Sequence, residues 1–274
     1  MKVRKAAGAL GAYVSDVDLF DIVSSNNLFG EIRALAVEHE VLFFRDQEVE
    51  PAVYQDFARS FGDVLGHPAY AIVPGTSDVQ VLESTPENPS KIEVWHSDMT
   101  FGNEPPSFTL LHGQIIPEFG GDTMWASATS AYENLSPQLQ TFFSSLTAVH
   151  DFRHGFKESL AESGGRERLA DAIAANPPVE HPVVRTHPET GKKSLYVNAL
   201  FTTHIKELEK LESEQMLQFL YQHIVSEEHT VRLSWEPYTV AIWDNRSTQH
   251  KPVNDFFPQH RKMHRVTICG DRPA

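Results

Sequence analysis

The chain has 274 residues, 41% of them hydrophobic, with one cysteine and a formal net charge of −14. That length and apolar share suffice for one large core, read as a single domain over residues 1–274, and the acidic balance argues against nucleic acid or an anionic membrane as partner while leaving room for a small anionic organic substrate met by clustered arginines. Cys269 alone excludes an internal disulfide framework and fits a reducing, cytoplasmic setting; the N-terminal stretch reads as neither signal peptide nor membrane span, because Gly8, Gly11, Ser15 and Asp16 interrupt its apolar run. In chain order, helical spacing first appears over about 27–39, where Leu28, Ile32 and Leu35 share a face, and VLFF at 41–44 follows as a strand. A short helix opens at Pro51, and VQVLE (79–83), FTLLHGQII (108–116) and TMWAS (123–127) are strands. Ser136 as cap and Pro137 in the first turn start a helix to about 146; TAVHDF (147–152), HPVVRT (181–186) and SLYVN (194–198) are again strands. Leu217, Leu220, Tyr221 and Ile224 define a helix over about 213–225, followed by strands TVRLSW (230–235), TVAIW (239–243) and RVTIC (265–269). Polar stretches at 85–91 and 157–178 are candidate mobile lids. Many short strands without strict strand–helix alternation predict a mainly β chain with added helices, arranged as a double-sheet jelly roll.

The chemistry centres on VWHSDMTF (94–101). On an extended segment His96 and Asp98 project to the same side, close enough to share an ion. Composition alone supplies about two His-x-Asp/Glu triplets by chance, and the chain holds two, the other being His187-Pro188-Glu189 inside a hairpin connection. Spacing therefore leaves the metal reading open. An iron site for oxygen chemistry uses two histidines and one carboxylate on one octahedral face, and WDNRSTQHKP offers His250, just after an apolar strand, as the third ligand. His154, His204, His223, His229, His260 and His264 read as solvated histidines, His150 and His181 as structural ones. Arg261 and Arg265, four apart on an extended chain, share a face and suit recognition of a carboxylate or sulfonate.

Taken together, WHSD, GGDT (120–123), HPVVRTHPETG, WDNRSTQH and HRKMHRVTICGDRP resemble the taurine dioxygenase family, Fe(II)- and 2-oxoglutarate-dependent oxygenases that also include aryloxyalkanoate enzymes. The similarity runs in order over nearly the whole chain. It implies a double-stranded β-helix, and His96, Asp98 and His250 as the catalytic iron ligands. Arg261 and Thr123 match the positions that hold the distal carboxylate of 2-oxoglutarate. His67 and Tyr70 match substrate-binding positions, Arg265 the arginine that meets a sulfonate, and Phe156 and Phe201 aromatic pocket walls. The implied reaction consumes O2, hydroxylates taurine or a related organosulfonate, and releases sulfite, an aldehyde, succinate and CO2; a sulfate ester or an aryloxyalkanoate is the alternative substrate, and a non-catalytic sensor of metal and 2-oxoglutarate the alternative role. A carboxylate at position 98 implies hydroxylation rather than halogenation. The resemblance also implies a homo-oligomer, dimer or tetramer. Three positions depart from the taurine pattern: Ile92 stands where an asparagine contacts substrate, Met99 where a valine is usual, and Gly155 where a serine is usual. Ile92 is expected to make that end of the pocket apolar.

Overall fold

A computed structural model describes residues 1–66, 70–89 and 92–274. Strands β1 (Lys2–Lys5) and β2 (Ala12–Ser15) precede helices α1 (Leu19–Val23) and α2 (Asn26–His39), which are followed by β3 (Val41–Phe44) and α3 (Pro51–Ser60). Next come β4 (Gln80–Ser84), β5 (Phe108–Ile115), β6 (Thr123–Ser127), α4 (Ala128–Glu133), α5 (Pro137–Phe143) and β7 (Thr147–His150). Short helices α6 (Phe152–Gly155), α7 (Lys157–Ala161), α8 (Gly165–Arg168) and α9 (Ala170–Ala175) lead to β8 (Val179–Pro182), β9 (Val184–Thr186), β10 (Lys193–Leu195) and β11 (Thr202–Ile205). Helix α10 (Lys210–Ile224) is followed by β12 (Thr230–Leu233), β13 (Val240–Asp244), β14 (Thr248–Pro252) and β15 (Arg261–Thr267). The chain is thus mainly β with added helices.

The local signals explain the helix ends. Ser25 caps α2 by accepting from Leu28 N, and Ser136 caps α5 by accepting from Leu139 N with Pro137 at its first position. A reciprocal capping box between Glu209 and Glu212 starts α10 three residues earlier than its apolar spacing suggested.

Two sheets carry the architecture. The larger has the order β1-β2-β3-β13-β5-β15-β4, and the smaller β12-β6-β14. Because side chains alternate along a strand, each strand of the large sheet serves two cores. Leu42 and Phe44, Leu110, Ile242 and Val266 join Ile22, Ile32 and Phe57 of the first three helices in one cluster. Val41, Phe43, Leu111, Trp243 and Met263 face Trp125, Val231 and Leu233 of the small sheet in another. The far side of the small sheet packs through Ala126 on Phe143, Leu217, Leu220 and Ile224. Each such fully buried large side chain contributes about 1.5–3 kcal/mol. No helix among the described residues is long and apolar enough to cross a membrane.

Several sequence expectations change. HPVVRT is two strands, since β8 pairs with β7 and β9 with β10, and Val183 between them donates its N–H to Leu146 O. The stretch 157–178, which the sequence offers as a mobile segment, contains α7, α8 and α9, and Leu169 between α8 and α9 packs with Ala172 and Ile173 of α9 against an aromatic cluster. His229 and His264 are buried rather than solvated. His223 is half-buried with Nε2 2.8 Å from Ala131 O. His150 and His181 are structural as expected: His150 Nδ1 lies 2.9 Å from Thr100 Oγ1, and His181 Nε2 3.0 Å from Thr100 O, which fixes the loop just beyond Asp98.

Candidate active site

The space between the two sheets narrows to a polar end built by alternation. Met263 and Trp243 belong to the inter-sheet core, so Arg261, Arg265 and Thr267 on β15 share its side of the sheet, as does Thr109 on β5 opposite Thr267. On the small sheet, His250 pairs with Trp125, and Pro252 with Thr123, which brings His250 and Thr123 to the same face. The segment carrying His96 joins the edge of β14 by a two-way backbone bridge, His96 N to His250 O at 3.0 Å and His250 N to His96 O at 2.7 Å. That bridge draws together residues 154 positions apart in sequence.

His96, Asp98 and His250 form a buried cluster whose three candidate donor atoms lie within 4.8 Å of one another. Nε2 of His96 is 3.8 Å, and Nε2 of His250 3.9 Å, from Asp98 Oδ1. His96 Nδ1 is 2.8 Å from Val94 O, a contact that places the proton on Nδ1 and leaves the Nε2 lone pair facing the cluster. The other carboxylate oxygen is occupied: Thr109 donates to Asp98 Oδ2 at 2.7 Å and Arg265 Nη2 at 2.8 Å. Oδ1 is thereby the oxygen turned to the histidines.

Burial pushes both imidazoles down, His250 to about 3, so both are neutral donors at ordinary pH. Burial would raise Asp98, but the charges of Arg265, His250 and His96 and the Thr109 hydrogen bond hold it well below the usual carboxylate range. Burial also opposes the Arg265 cation, yet Asp98, and after it Tyr70, raise its pKa. Two neutral imidazoles and one ionised carboxylate are the donor set that suits a non-haem Fe(II) ion, so the residues present fit iron.

Arg261 is different. The described residues provide no carboxylate within ion-pairing distance, and its Nε is buried without a hydrogen-bond partner. Burial lowers its pKa to about 10, only partly offset by Asp122. A desolvated guanidinium lacking a counter-ion is costly and favours an incoming anion. Its aliphatic stem is cradled by Gly121, at φ +71°, where an added Cβ would meet Arg261 Cδ at 3.3 Å. Trp235 lies between Arg261 and Thr123: its ring centroid is 5.8 Å from the guanidinium carbon and its Nε1 donates to Thr123 Oγ1 at 3.0 Å. Four residues of strand span roughly 13 Å, so the two arginines serve separate ends of the interior rather than one clamp.

Beyond Asp98 the chain turns at Met99, held at φ 47°, and Gly102 N donates to Met99 O at 2.9 Å. The Thr100 hydroxyl that follows is taken up by His150 and Asn198, and the aromatic side chains nearby build an apolar wall. Phe101, Phe152 and Phe201 are buried together, with Met99, Phe156, Leu169 and Ile173 packed on them. Gly155 matters to that wall: an added Cβ would come within 2.4 Å of Phe201 Cε1, so the missing side chain is what lets the ring seat there. Met99, Phe156 and Phe201 are thus brought together in one cluster. Ile92 is not among them; it is 41% exposed, and its carbonyl accepts from Asn254 Nδ2 at 3.0 Å. His67 lies outside the described residues.

Sequence reasoning missed three supporting residues. Asn245 Nδ2 donates to Thr109 Oγ1 at 2.8 Å, Trp243 Nε1 donates to Asn245 Oδ1 at 3.0 Å, and the Trp243 ring packs on His250 with centroids 4.7 Å apart. Asn245 and Trp243 stand in the same WDN motif that led to His250, but nothing local in sequence points to Thr109.

Comparison with known proteins agrees with this geometry. The family model described as "Taurine catabolism dioxygenase TauD, TfdA family" matches residues 2–267. An "Alkylsulfatase" of Acinetobacter baylyi is 37% identical over 275 residues, covering 99% of this chain and 86% of that protein. An "Alpha-ketoglutarate-dependent sulfate ester dioxygenase" of Pseudomonas putida is 32% identical, covering 100% and 91%. A solved taurine dioxygenase from Burkholderia xenovorans superposes with a TM-score of 0.84 at 34% identity, covering 100% of this chain and 90% of that one. With a match over almost its full length, the chain belongs to the TauD/TfdA family of 2-oxoglutarate-dependent dioxygenases.

Proposed function

We propose that this enzyme, a single domain on a double-stranded β-helix core, hydroxylates a small organosulfur anion with an apolar tail, a sulfate ester or an alkylsulfonate, at the carbon bearing the sulfur group. His96, Asp98 and His250 hold Fe(II). Arg261 and Thr123 take the distal carboxylate of 2-oxoglutarate. Arg265, with Tyr70 and His67, meets the anionic head of the substrate, and Met99, Phe156 and Phe201 line its tail. Bound there, Fe(II) couples oxidative decarboxylation of 2-oxoglutarate by O2, giving succinate and CO2, to hydroxylation of the substrate carbon. The hydroxylated carbon then expels its sulfur group, sulfate from an ester or sulfite from a sulfonate, and leaves an aldehyde.

The protein's own part is placement. Arg265 and Thr109 both bind Asp98 Oδ2, which keeps Oδ1 facing the histidines. The wall from Met99 to Phe201 excludes water from the reacting carbon. The observation that carries the substrate reading is the apolar cluster of Phe101, Phe152 and Phe201 with Met99 and Phe156, which begins one residue after Asp98, while the Thr100 hydroxyl is taken up by His150 and Asn198. Taurine's ammonium would lack a partner against such a wall, whereas each added methylene gains about 0.8 kcal/mol. Succinate release from hexyl sulfate, hexanesulfonate, taurine and 2,4-dichlorophenoxyacetate tests this. Either C6 substrate should exceed taurine by at least roughly tenfold in kcat/KM; preference for taurine or for the aryloxyacetate sinks the reading.

A further inference from the structure

We infer that Asn245 is a positioning residue that sets two of the three members of the His96–Asp98–His250 cluster through the orientation of one side-chain amide. The inference rests on reading that cluster as the iron site.

The argument begins from donors and acceptors. An indole N–H only donates, and so does a backbone N–H. Trp243 Nε1 at 3.0 Å and Asp98 N at 3.3 Å both approach one atom of the Asn245 amide, which is therefore its oxygen. That choice fixes the amide NH2 toward Thr109 Oγ1, 2.8 Å away. Thr109 then accepts from Asn245, and its single hydroxyl proton goes to Asp98 Oδ2 at 2.7 Å. Reversing the amide would set NH2 against two donors and leave Thr109 facing an acceptor. Every proton in the chain from Trp243 to Asp98 thus points one way, toward the carboxylate.

Both ends of this chain reach the cluster. At one end the Thr109 proton takes up Oδ2, reserving Oδ1. At the other, Trp243 is anchored by its Nε1, and its ring packs on His250, whose Nδ1 is buried without a hydrogen-bond partner among the described residues. Ring packing is therefore what orients His250 where a hydrogen bond would ordinarily do so. Asn245 itself is 1% exposed and pinned by its backbone N–H to Ser107 O at 2.8 Å, so it has no freedom to turn away.

The test uses the full-length apoprotein and Co(II) as a redox-stable probe, read by its visible absorption, alongside thermal melting without metal. Asn245→Leu and Thr109→Val remove the polar links at similar volume, and each should weaken Co(II) binding by roughly 10- to 100-fold. Thr109→Ser, which keeps the hydroxyl, should restore affinity to within about threefold of wild type. Trp243→Phe keeps a ring beside His250 but frees the amide, and should also weaken Co(II). If Asn245→Leu does not fold, the Thr109 pair and Trp243→Phe decide the matter alone. Variants that melt earlier yet bind Co(II) like the wild type, or Thr109→Ser no better than Thr109→Val, would show a merely structural residue. Wild type that binds no Co(II), or Asp98→Ala that binds it equally well, would instead overturn the iron-site reading.

Discussion

Two pairs of buried imidazoles lie on opposite faces of the large sheet, and only one belongs to the candidate site. His96 and His250 have ring centroids 4.2 Å apart; His112 and His264, opposite each other in the β5–β15 ladder, are 6.4 Å apart. Burial lowers all four, His250 to about 3 and His112 and His264 to about 4. What separates the pairs is the carboxylate. Asp98 Oδ1 lies within 3.9 Å of Nε2 of both His96 and His250, whereas neither His112 nor His264 pairs with a carboxylate among the described residues. Neutral buried imidazoles are a product of packing; a metal site also needs an ionised carboxylate, and Thr109 and Arg265 keep Asp98 ionised.

The largest effect should come from erasing that difference. Asp98→Ala turns the first pair into a copy of the second, and Fe(II) affinity should fall by roughly 100-fold or more, since loss of a ligand exceeds the 10- to 100-fold of a supporting residue. Anaerobic Fe(II) titration measures it, and succinate formation should disappear in parallel. Retained tight binding would mean that the histidines alone suffice.

The second pair makes its own prediction, in stability rather than chemistry. His112 has a folded pKa of about 4 against an ordinary 6.5, because burial and then His264 disfavour its cation. The unfolded chain therefore binds a proton that the folded chain refuses. Its contribution is fully present above pH 6.5 and is lost as pH falls toward 4, by about 3 kcal/mol in all. The ring packs on Tyr54, so His112→Phe should fold and should flatten this acid limb. Denaturant melts at pH 7 and pH 4.5 would show the variant gaining on wild type by about 2–3 kcal/mol at the lower pH; parallel losses would assign the acid limb to other groups.

The sequence made one histidine pair legible and hid the other. His-x-Asp spacing and the family motifs led to His96, Asp98 and His250. His264 reads as solvated because its neighbours in HRKMHRV are charged, although alternation with Val266 puts it under helix α3, where Tyr54 Oη donates to its carbonyl at 3.3 Å. Strand β14 was likewise not foreseen. Its sequence, TQHKP, lacks apolar alternation because its inward positions carry function, and only its antiparallel register with β6 makes it a strand. Aromatic packing around Phe201 is hidden for a different reason: its partners Phe101 and Phe152 lie far apart in sequence.

Between these extremes stand the arginines of β15. Arg265 has Asp98 as counter-ion, whereas Arg261 has no carboxylate within ion-pairing distance among the described residues and Asp122 offsets its burial only in part, so their removal should act on different ligands. A charge-assisted hydrogen bond contributes about 1.5–3 kcal/mol, which makes Arg261→Ala weaken 2-oxoglutarate by roughly 10- to 150-fold. Arg265→Ala should raise the substrate KM and, because Arg265 also holds Asp98 Oδ2, weaken Fe(II); with Fe(II) saturating, 2-oxoglutarate affinity should change little. Isothermal titration with 2-oxoglutarate separates them, and the opposite pattern would exchange the two roles.

The smallest effect is expected at Ile92. The departure from the taurine pattern suggested an apolar contact at the substrate tail, which Ile92→Asn should disturb. In the structure the side chain is 41% exposed and outside the Phe101–Phe152–Phe201 cluster, while its attachment to the protein runs through its carbonyl, a contact any side chain preserves. An isoleucine left in water at that level withholds much of the 1.5–3 kcal/mol that full burial would contribute. Ile92→Asn should therefore change the ratio of kcat/KM between hexyl sulfate and taurine by less than about threefold, a shift under 1 kcal/mol. Succinate release with each substrate gives the ratio free of errors in enzyme concentration. A tenfold or greater shift toward taurine would mean that the segment bearing Ile92 folds onto the bound substrate and completes the apolar wall. The difference between the polar and apolar ends of the site would then be finished by substrate rather than built into the resting protein.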